Sequence, residues 1–370
     1  MPGSRANDAP PAWVLGSADA PSVEIWGLTP AERLRRSLGR AGCRAVKALD
    51  WGEAKIPQTS GSALLLRGDA IFDERLIHAL VASPNTVLTA PRAEGDAWGG
   101  PVAAHVDAKR IPAALALLRD PGGAPTPRGV RLLLPGQLAP AGTAVLRKSE
   151  PPYLFPARAE DASAIEAHLF AASDKGVTDL VTRWVWPRPA RAVTRGLARA
   201  GVHPNTVTAA SGILAIVATV LFAGGAFALG LCVAWLMTLL DTVNGKLARV
   251  TLTSSRLGGA FDHGLALVHP PIWYLAWGLG LPSGFGMATA VVVAGYVAGR
   301  SLEALFLHAF KFETHCWRPV DALFHTISAG RNPNLILLSV GTLGGRPDLG
   351  MVMVALWTVV SLAFQGIRLL

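Results

Sequence analysis

Residues 241–266 read DTVNGKLARVTLTSSRLGGAFDHGLA and lie between two apolar segments that are each long enough to cross a bilayer. An ionisable side chain in the hydrocarbon costs about 2.5–3.5 kcal/mol, so Asp241 and Asp262 are candidate functional residues. Asp241, Asn244 and Ala248 have the spacing of one helix face, and Asp262 and Ala266 have the spacing of one face on the next helix. The pattern predicts two helix faces that direct oxygen atoms toward one point.

The residues around these carboxylates suit a phosphate. Gly245 and Gly258 allow two helix backbones to approach each other closely. Arg249 follows Gly245 by one helical turn and offers a planar cation that can pair with phosphate oxygens. The stretch therefore predicts a site for a phosphorylated ligand at the membrane edge.

At these positions the chain resembles the CDP-alcohol phosphotransferase family, whose signature is D-x2-D-G-x2-A-R-x8-G-x3-D-x3-D. Two positions differ, because Asn244 and Ala266 stand where the family has its second and fourth aspartates. The matching elements at the correct spacing are Asp241, Gly245, Ala248, Arg249, Gly258 and Asp262.

The resemblance implies a reaction and its ligands. Family members transfer a phosphoalcohol or phosphatidyl group from a CDP-linked donor to a hydroxyl acceptor and release CMP. Their aspartates hold Mg2+ or Mn2+, which implies Asp241, Asn244 and Asp262 as metal ligands here. The implied nucleotide-binding residues are Asn205 and Thr208 of the HPNTVT segment, with Gly245, Ala248, Arg249 and Gly258.

The two departures weaken that chemistry. Asn244 still offers a neutral carbonyl oxygen, but the loss of a charge predicts weaker metal binding. Ala266 stands at the position of the family's catalytic base and cannot accept a proton. His269 lies seven residues after Asp262, on the same helix face, and is the candidate substitute; a structural role beside Pro270 is the alternative.

The composition divides the chain into two parts. Of 370 residues, 34 are Lys or Arg, 25 are Asp or Glu and 51% are hydrophobic, and the long apolar runs begin near residue 206. The basic residues do not form a stripe with aromatic residues, so anionic membrane lipid is predicted as a partner and nucleic acid is not. The three cysteines match no zinc spacing, which favours reduced thiols.

Residues 1–20 are rich in Pro, Ala, Gly and Ser and predict a disordered tail. Residues 21–150 alternate between strand and helix patterns and predict a soluble α/β domain with a mainly parallel sheet. Its predicted elements are strands SVEIWG, CRAVKAL, SALLLRG, NTVLTA and VRLLLP, and helices PAERLRRSLGRAG and DERLIHALVASP.

The domain resembles a degenerate nucleotidyltransferase, because LLLRGDAIFD occupies the place of the G-D segment while WGLTPAERL offers no Gly-rich phosphate loop. Asp69 as a turn residue and Asp73 as a helix N-cap favour a scaffold role. This domain joined to a membrane domain resembles bifunctional inositol-phosphate lipid synthases, which makes a polyol phosphate or a lipid the expected acceptor.

The second part is predicted to be an all-α membrane domain. Residues 151–177 are expected to connect the parts through one short helix, and residues 178–201 to form an interfacial amphipathic helix with five arginines and two tryptophans. Residues 202–370 predict about six spans. They lie at 206–223, 226–248, 258–280, 286–309, 332–346 and 349–369.

Four cations near the fourth and fifth spans have two explanations. The positive-inside rule accounts for loop Arg and Lys without any chemistry. The alternative is a binding site for an anionic acceptor, for which Arg300 is the strongest candidate because it lies at membrane depth. The four residues are Arg300, Lys311, Arg318 and Arg331. Their distribution predicts an inner-membrane protein whose N-terminal domain and site lie on the cytoplasmic side.

Three classes of function remain open. The chain is an active transferase, an impaired variant or pseudoenzyme that binds nucleotide or lipid, or a small transporter or channel. The transporter is disfavoured, since it does not explain the Ala248-Arg249 pair or the eight-residue gap before Gly258. A homodimer is a further open expectation.

Overall fold

The computed structural model describes residues 9–16, 23–51, 59, 61–92, 98–120, 122–140, 150–174, 176–254 and 256–369. The contacts divide the chain into an N-terminal unit, which ends at Ala172, and a C-terminal unit, which begins at Ser173. The N-terminal unit is α/β and the C-terminal unit is helical.

The N-terminal unit alternates strands and helices, as predicted. Its strands are β1 (Ala12–Gly16), β2 (Val46–Asp50), β3 (Ser62–Arg67), β4 (Ala70–Phe72), β5 (Thr86–Ala90), β6 (Gly100–Asp107), β7 (Arg131–Leu133) and β8 (Leu154–Pro156). Its helices are α1 (Pro30–Arg40), α2 (Glu74–Val81), α3 (Ile111–Arg119), α4 (Pro135–Leu138) and α5 (Ala162–Ala172).

The main sheet is mixed rather than mainly parallel. Across the described residues its strand order is β2-β1-β3-β6-β5-β7, with β6 antiparallel to both of its neighbours. The sequence did not predict β6. Only nine residues separate the end of β5 from the start of β6, and a connection this short favours an antiparallel pair.

Apolar side chains cover both faces of this sheet. Leu64 and Leu66 pack with α1 and α2, whereas Ala63 and Leu65 pack with α3 on the opposite face. Successive residues of a strand point to opposite faces, so the continuous apolar run of β3 is buried on both sides. The prediction of a buried strand at 62–68 is confirmed.

Three predictions for this unit are wrong. Residues 12–16 of the predicted disordered tail form β1, while residues 1–8 and 17–20 lie outside the described residues. Residues 23–27 of the predicted strand SVEIWG lead into a turn, because Trp26 and Gly27 have φ angles of 56° and 68°, and Ser22 lies outside the described residues. Most of the predicted 151–177 connector belongs to the first unit, since β8 pairs with β4 and Glu166 of α5 accepts a hydrogen bond from Trp26 N.

The two aspartates compared with the nucleotidyltransferase segment have local roles. Asp69 lies in the β3–β4 turn and forms an ion pair with Arg67. Asp73 caps α2 by accepting a hydrogen bond from the backbone N of Arg75. The predicted turn and N-cap are confirmed.

The C-terminal unit contains a π-helical turn and a set of long helices. The turn is Val181–Val185, and a short 3-10 turn lies at Thr314–Cys316. The helices are α6 (Pro187–Arg199), α7 (Pro204–Ala223), α8 (Phe227–Val250), α9 (Arg256–Gly280), α10 (Met287–Phe310), α11 (Pro319–Ile327), α12 (Arg331–Leu343) and α13 (Pro347–Leu369).

Four helices within the described part of the chain are long and apolar enough to cross a membrane. They correspond to the first, second, fourth and sixth predicted spans, and lie at Pro204–Ala223, Phe227–Val250, Met287–Phe310 and Pro347–Arg368. Helix α12 has 13 residues and is about 20 Å long, which is short for a hydrocarbon core of about 30 Å. The count of six spans therefore stays a prediction.

The predicted interfacial segment is helical from Val181 to Arg199, apart from a break at Trp186. Trp184 and Val185 are exposed, whereas Ala190, Thr194 and Ala198 are buried at helical spacing. This division into a buried stripe and a basic surface is typical of an amphipathic helix.

Candidate active site

The predicted meeting of two helix faces is present between α8 and α9. Asn244 Nδ2 donates a hydrogen bond to Asp262 Oδ1 at 2.8 Å. Asn244 is only 5% exposed, whereas Asp262 is half-buried, so this bond lies at a partly buried position. The sequence spacing was enough to predict this contact. Residues three or four apart share one helix face, so the spacing put Asn244 and Asp262 on the faces that carry the other signature residues.

Asp241 has a partner that the sequence did not predict. Its Oδ2 accepts a hydrogen bond from Arg331 Nη2 at 2.7 Å, and the exposed fractions of these side chains are 19% and 18%. Arg331 is the first residue of α12, where the helix dipole disfavours a cation. The ion pair with Asp241 offsets that cost and connects α12 to α8.

Gly245 and Arg249 are in contact, as their one-turn spacing suggests. A Cβ at Gly245 would lie 3.2 Å from Arg249 Nη2, so the missing side chain leaves room for the guanidinium. Arg249 Nε is buried and has no hydrogen-bond partner. A buried guanidinium NH without a partner is well suited to an anionic ligand.

The remaining positions of the signature are less enclosed. Ala248 and Gly258 are both half-buried. The backbone carbonyl of Ala248 accepts a hydrogen bond from Thr253 N, which closes the C-terminal end of α8. These two residues contribute backbone and space rather than functional groups.

The HPNTVT segment begins α7, but its cap differs from the expected one. His203 Nδ1 accepts a hydrogen bond from Asn205 N, so His203 and not Asn205 is the N-cap. Asn205 is exposed in the first turn, whereas Thr208 is buried and donates to Pro204 O. Asn205 is therefore available to a ligand and Thr208 has a structural hydrogen bond.

A cavity of about 330 Å³ lies beside Asp241 and Ala266. Asn332 and Asn334 of α12 line it, and each has a buried Oδ1 atom without a hydrogen-bond partner. Polar atoms of this kind are rarely left unpaired, so the cavity is suited to a polar ligand. Other residues along its wall are Asp179, Tyr274, Tyr296, Arg300, Glu303, His325 and Arg331.

Prolines in α9 add backbone acceptors near this cavity. Pro270 and Pro271 lie inside the helix and have no amide hydrogen for the carbonyls of Ala266 and Leu267. Tyr296 OH donates to Leu267 O at 2.8 Å and satisfies one of them. Because Pro271 has no amide hydrogen, the carbonyl of Leu267 accepts a hydrogen bond from a side chain instead of from the helix backbone.

His269 is not among the described residues that line the cavity. Its Nδ1 lies 2.7 Å from Leu265 O, so Nδ1 donates the hydrogen bond and carries the proton. Its ring also packs edge-on against Trp273, and Nε2 is buried without a partner. These contacts favour the structural role for His269 and not its use as a base.

Two of the four predicted acceptor cations lie beside the cavity, and the other two do not line it. Arg300 and Arg331 line the same cavity. Arg300 is paired with Glu303 at 2.8 Å, so the guanidinium that the sequence placed at membrane depth is neutralised. Lys311 is exposed at the end of α10, and Arg318 stacks on Trp317.

Several site residues were missed by the sequence analysis. Asp179 accepts hydrogen bonds from Val181 N and from Asn332 Nδ2, at 3.0 Å each, and so connects the π-helical turn to α12. Lys246 is 6% exposed and forms an ion pair with Asp174. The polar Asn332-Pro333-Asn334 sequence at the start of a predicted span was the available signal.

His325 of α11 lies at the edge of the cavity as a neutral ring. Burial lowers its pKa to about 4, and the neighbouring His315 and Arg300 act in the same direction. At neutral pH it therefore adds no charge to the cavity.

The oxygen atoms of the signature residues suit a divalent cation. Asp241, Asn244 and Asp262 offer oxygen atoms, which Mg2+ and Mn2+ prefer. Both carboxylates already accept hydrogen bonds from protein groups, Arg331 and Asn244. The residues fit a divalent cation by ligand type, and the paired state of the carboxylates favours weak binding.

No family model matches the chain, and no curated protein matches it. Among solved structures, three crystal structures of Mycobacterium tuberculosis phosphatidylinositol phosphate synthase (PgsA1) are similar. The form with bound CDP-DAG has 19% identity and a TM-score of 0.39, and the match covers 48% of this chain and 92% of the PgsA1 chain.

The form with manganese and citrate has 18% identity and a TM-score of 0.40, with 48% of this chain covering 88% of it. The apo form has 18% identity and a TM-score of 0.39, with 48% and 94% covered. Similarity of this degree assigns no activity, so the function depends on the residues of this chain.

Proposed function

We propose that the chain is an integral membrane protein of the CDP-alcohol phosphotransferase type with strongly reduced turnover. The observation that carries the proposal is the hydrogen bond between Asn244 and Asp262, at the second and third aspartate positions of the signature. The spacing and this contact together support a site whose signature positions lie on two facing helices.

The proposed reaction joins an acceptor hydroxyl to phosphorus. The hydroxyl oxygen forms a P–O bond to the phosphate next to the alcohol of a CDP-linked donor, and the P–O bond to CMP breaks. Asp241, Asn244 and Asp262 would hold Mg2+ or Mn2+, which would neutralise charge on the CMP leaving group. Arg249 is positioned to pair with donor phosphate oxygens, with Gly245 leaving the space that it occupies.

The hydroxyl proton has no evident acceptor at the family's position. Ala266 lines the cavity but has no titratable group. A well-placed general base contributes about 10²–10⁴-fold to a rate, so its loss alone predicts very slow turnover. The second candidate function is therefore a pseudoenzyme that binds nucleotide or lipid, which the paired state of both carboxylates favours.

The cavity supports an anionic hydroxyl acceptor such as a polyol phosphate. Arg331 and the unpaired oxygen atoms of Asn332 and Asn334 offer a cation and acceptors for hydroxyl groups within one space. A lipid hydroxyl is the alternative acceptor.

Further parts of the proposal concern the whole chain. We place six spans in an inner membrane, with the site on the cytoplasmic side and the arginines of α6 on anionic headgroups. The α/β unit is proposed as a degenerate nucleotidyltransferase-like scaffold, because Asp69 and Asp73 have local roles. We also propose a homodimer, which crosslinking of the purified chain tests.

The test is CMP release from a panel of CDP-alcohols and CDP-diacylglycerol by four proteins. These are the unaltered chain, Ala266→Asp, Asn244→Asp and the double variant. We expect the unaltered chain to be slowest, Ala266→Asp to recover part of the rate and the double variant to recover most, because both residues act on one transition state.

Ala266→Asn is the matched control, since it has the shape of the aspartate without a basic carboxylate. Equal rates for Ala266→Asn and Ala266→Asp would contradict the role of a base at this position. If the unaltered chain turns over as fast as the double variant, the chain is not impaired. If none of the four releases CMP but the unaltered chain binds a CDP-alcohol, the pseudoenzyme is supported.

A further inference from the structure

A cluster of metal-ligating residues lies between α10 and α11, in a turn that the proposed reaction does not use. Glu313, His315 and Cys316 place one ligand atom each within 4.8 Å of the others. The distance from Glu313 Oε2 to His315 Nε2 is 3.2 Å, and the distance to Cys316 Sγ is 3.8 Å. Three ligand-type side chains within four residues therefore face one point.

The backbone explains this convergence. Residues Thr314–Cys316 form a 3-10 turn, and Cys316 N donates to Glu313 O at 2.9 Å. In such a turn, residues three apart lie nearly one above the other, so Glu313 and Cys316 share a side. The turn is thus a short, hydrogen-bonded frame for the three ligands.

The burial of the three side chains differs in a way that suits an ion. Cys316 is buried at 3% exposure, His315 is half-buried and Glu313 is exposed. An ion could enter from the Glu313 side and reach the thiol. Glu313 Oε2 contacts both His315 Nε2 and the Cys316 thiol, so one oxygen atom already brings the three side chains together.

The donor set selects the metal. Thiolate and imidazole ligands suit zinc, whereas Mg2+ and Ca2+ prefer oxygen ligands alone. We propose that Glu313, His315 and Cys316 form a zinc site that holds the α10–α11 turn. Three protein ligands leave one position of a tetrahedral ion for water.

His325 connects this turn to the cavity. Its ring stacks on His315 with the ring centroids 4.2 Å apart, and it also lines the cavity beside Arg331. An ion that fixes His315 would therefore stabilise α11 and the residues that follow it. The zinc site is independent of the proposed transferase activity, because it shares none of the signature residues.

The test is zinc binding by the full-length chain in detergent micelles after treatment with a chelator. Competition with a chromophoric zinc chelator measures affinity, and Co2+ substitution reports a thiolate ligand through its sulfur-to-metal charge-transfer band. We expect one equivalent of zinc, and a charge-transfer band that Cys316→Ser removes.

Cys316→Ser and His315→Gln should each weaken zinc binding by more than about tenfold, since even an outer-shell change costs about 10–100-fold. The matched controls are Cys232→Ser in α8 and His308→Ala in α10, which change an exposed cysteine and an exposed histidine. Their zinc affinity should equal that of the unaltered chain.

Gel filtration shows whether each variant remains folded. If Cys316→Ser does not fold, His315→Gln becomes the variant that tests the site. The proposal is overturned if the unaltered chain retains no zinc at micromolar concentration. It is also overturned if Cys316→Ser keeps the affinity, or if the control variants lose it to the same extent.

Discussion

The ion pair between Arg331 and Asp241 connects two helices that are 90 residues apart in the chain, and its removal should destabilise the helical unit. Arg331→Ala leaves the Asp241 carboxylate without its partner. Removing one partner of a fully buried pair costs about 3–5 kcal/mol, and removing one from an exposed pair costs about 0–1 kcal/mol.

The structure places this pair between those limits. About four-fifths of each side chain is buried, at 18% and 19% exposure, but the pair borders a polar cavity where solvent screens it. We therefore expect Arg331→Ala to lower the free energy of unfolding by about 2 kcal/mol. Arg331 also begins α12, so its loss removes an unfavourable interaction with the helix dipole and limits the effect.

The assay is equilibrium unfolding in mixed detergent micelles, in a double-mutant cycle with Asp241→Ala. The double variant should be less destabilised than the sum of the two single variants, because neither charge is then left unpaired. Arg346→Ala is the matched control, since its pair with Asp348 is exposed at 60% and 44% and should contribute little. Equal losses for Arg331→Ala and Arg346→Ala, or strict additivity in the cycle, would refute the buried pair.

Two further predictions concern packing and thiol chemistry. Gly280→Ala should lower the free energy of unfolding by about 1–3 kcal/mol, because its Cβ would lie 1.9 Å from the backbone oxygen of Phe222. Gly264→Ala in the same helix is the control, since its Cβ meets nothing within 4 Å and should be neutral or slightly stabilising. Equal unfolding midpoints for the two variants would contradict this packing. Cys43 should resist labelling by maleimide at pH 8, because burial raises its thiol pKa to about 11 and leaves little thiolate. Labelling should increase only toward pH 11 or when the protein unfolds. Rapid labelling of the folded protein at pH 8, measured in a Cys232→Ala, Cys316→Ala background, would contradict this prediction.

Local patterns were sufficient where one element determines the outcome. Pro30 predicted the start of α1, and Asp73 predicted the start of α2, because helix starts depend on backbone groups within the same turn. The same holds for Asn244 and Asp262, whose spacing on their helices put them on facing sides. The class of each unit and the membrane character of the second also follow from composition and periodicity.

The first strand and the first turn of the α/β unit were predicted less well. SVEIWG has the residues of a strand, but Trp26 donates hydrogen bonds to Glu166, 140 residues later, and adopts a turn conformation instead. Strand β1 was missed because its apolar run is short and follows a Pro-rich tail. Partners that are distant in sequence override local preference at such positions.

The sequence by itself determined which residues share a helix face, because helical geometry repeats every 3.6 residues whatever surrounds the helix. It also determined that Ala266 cannot act as a base. Only the tertiary structure decided that Arg331 pairs with Asp241, that Arg300 pairs with Glu303, and that His269 hydrogen-bonds within its own helix. A charge finds its partner through the packing of whole helices, and that packing depends on contacts that no single stretch of sequence contains.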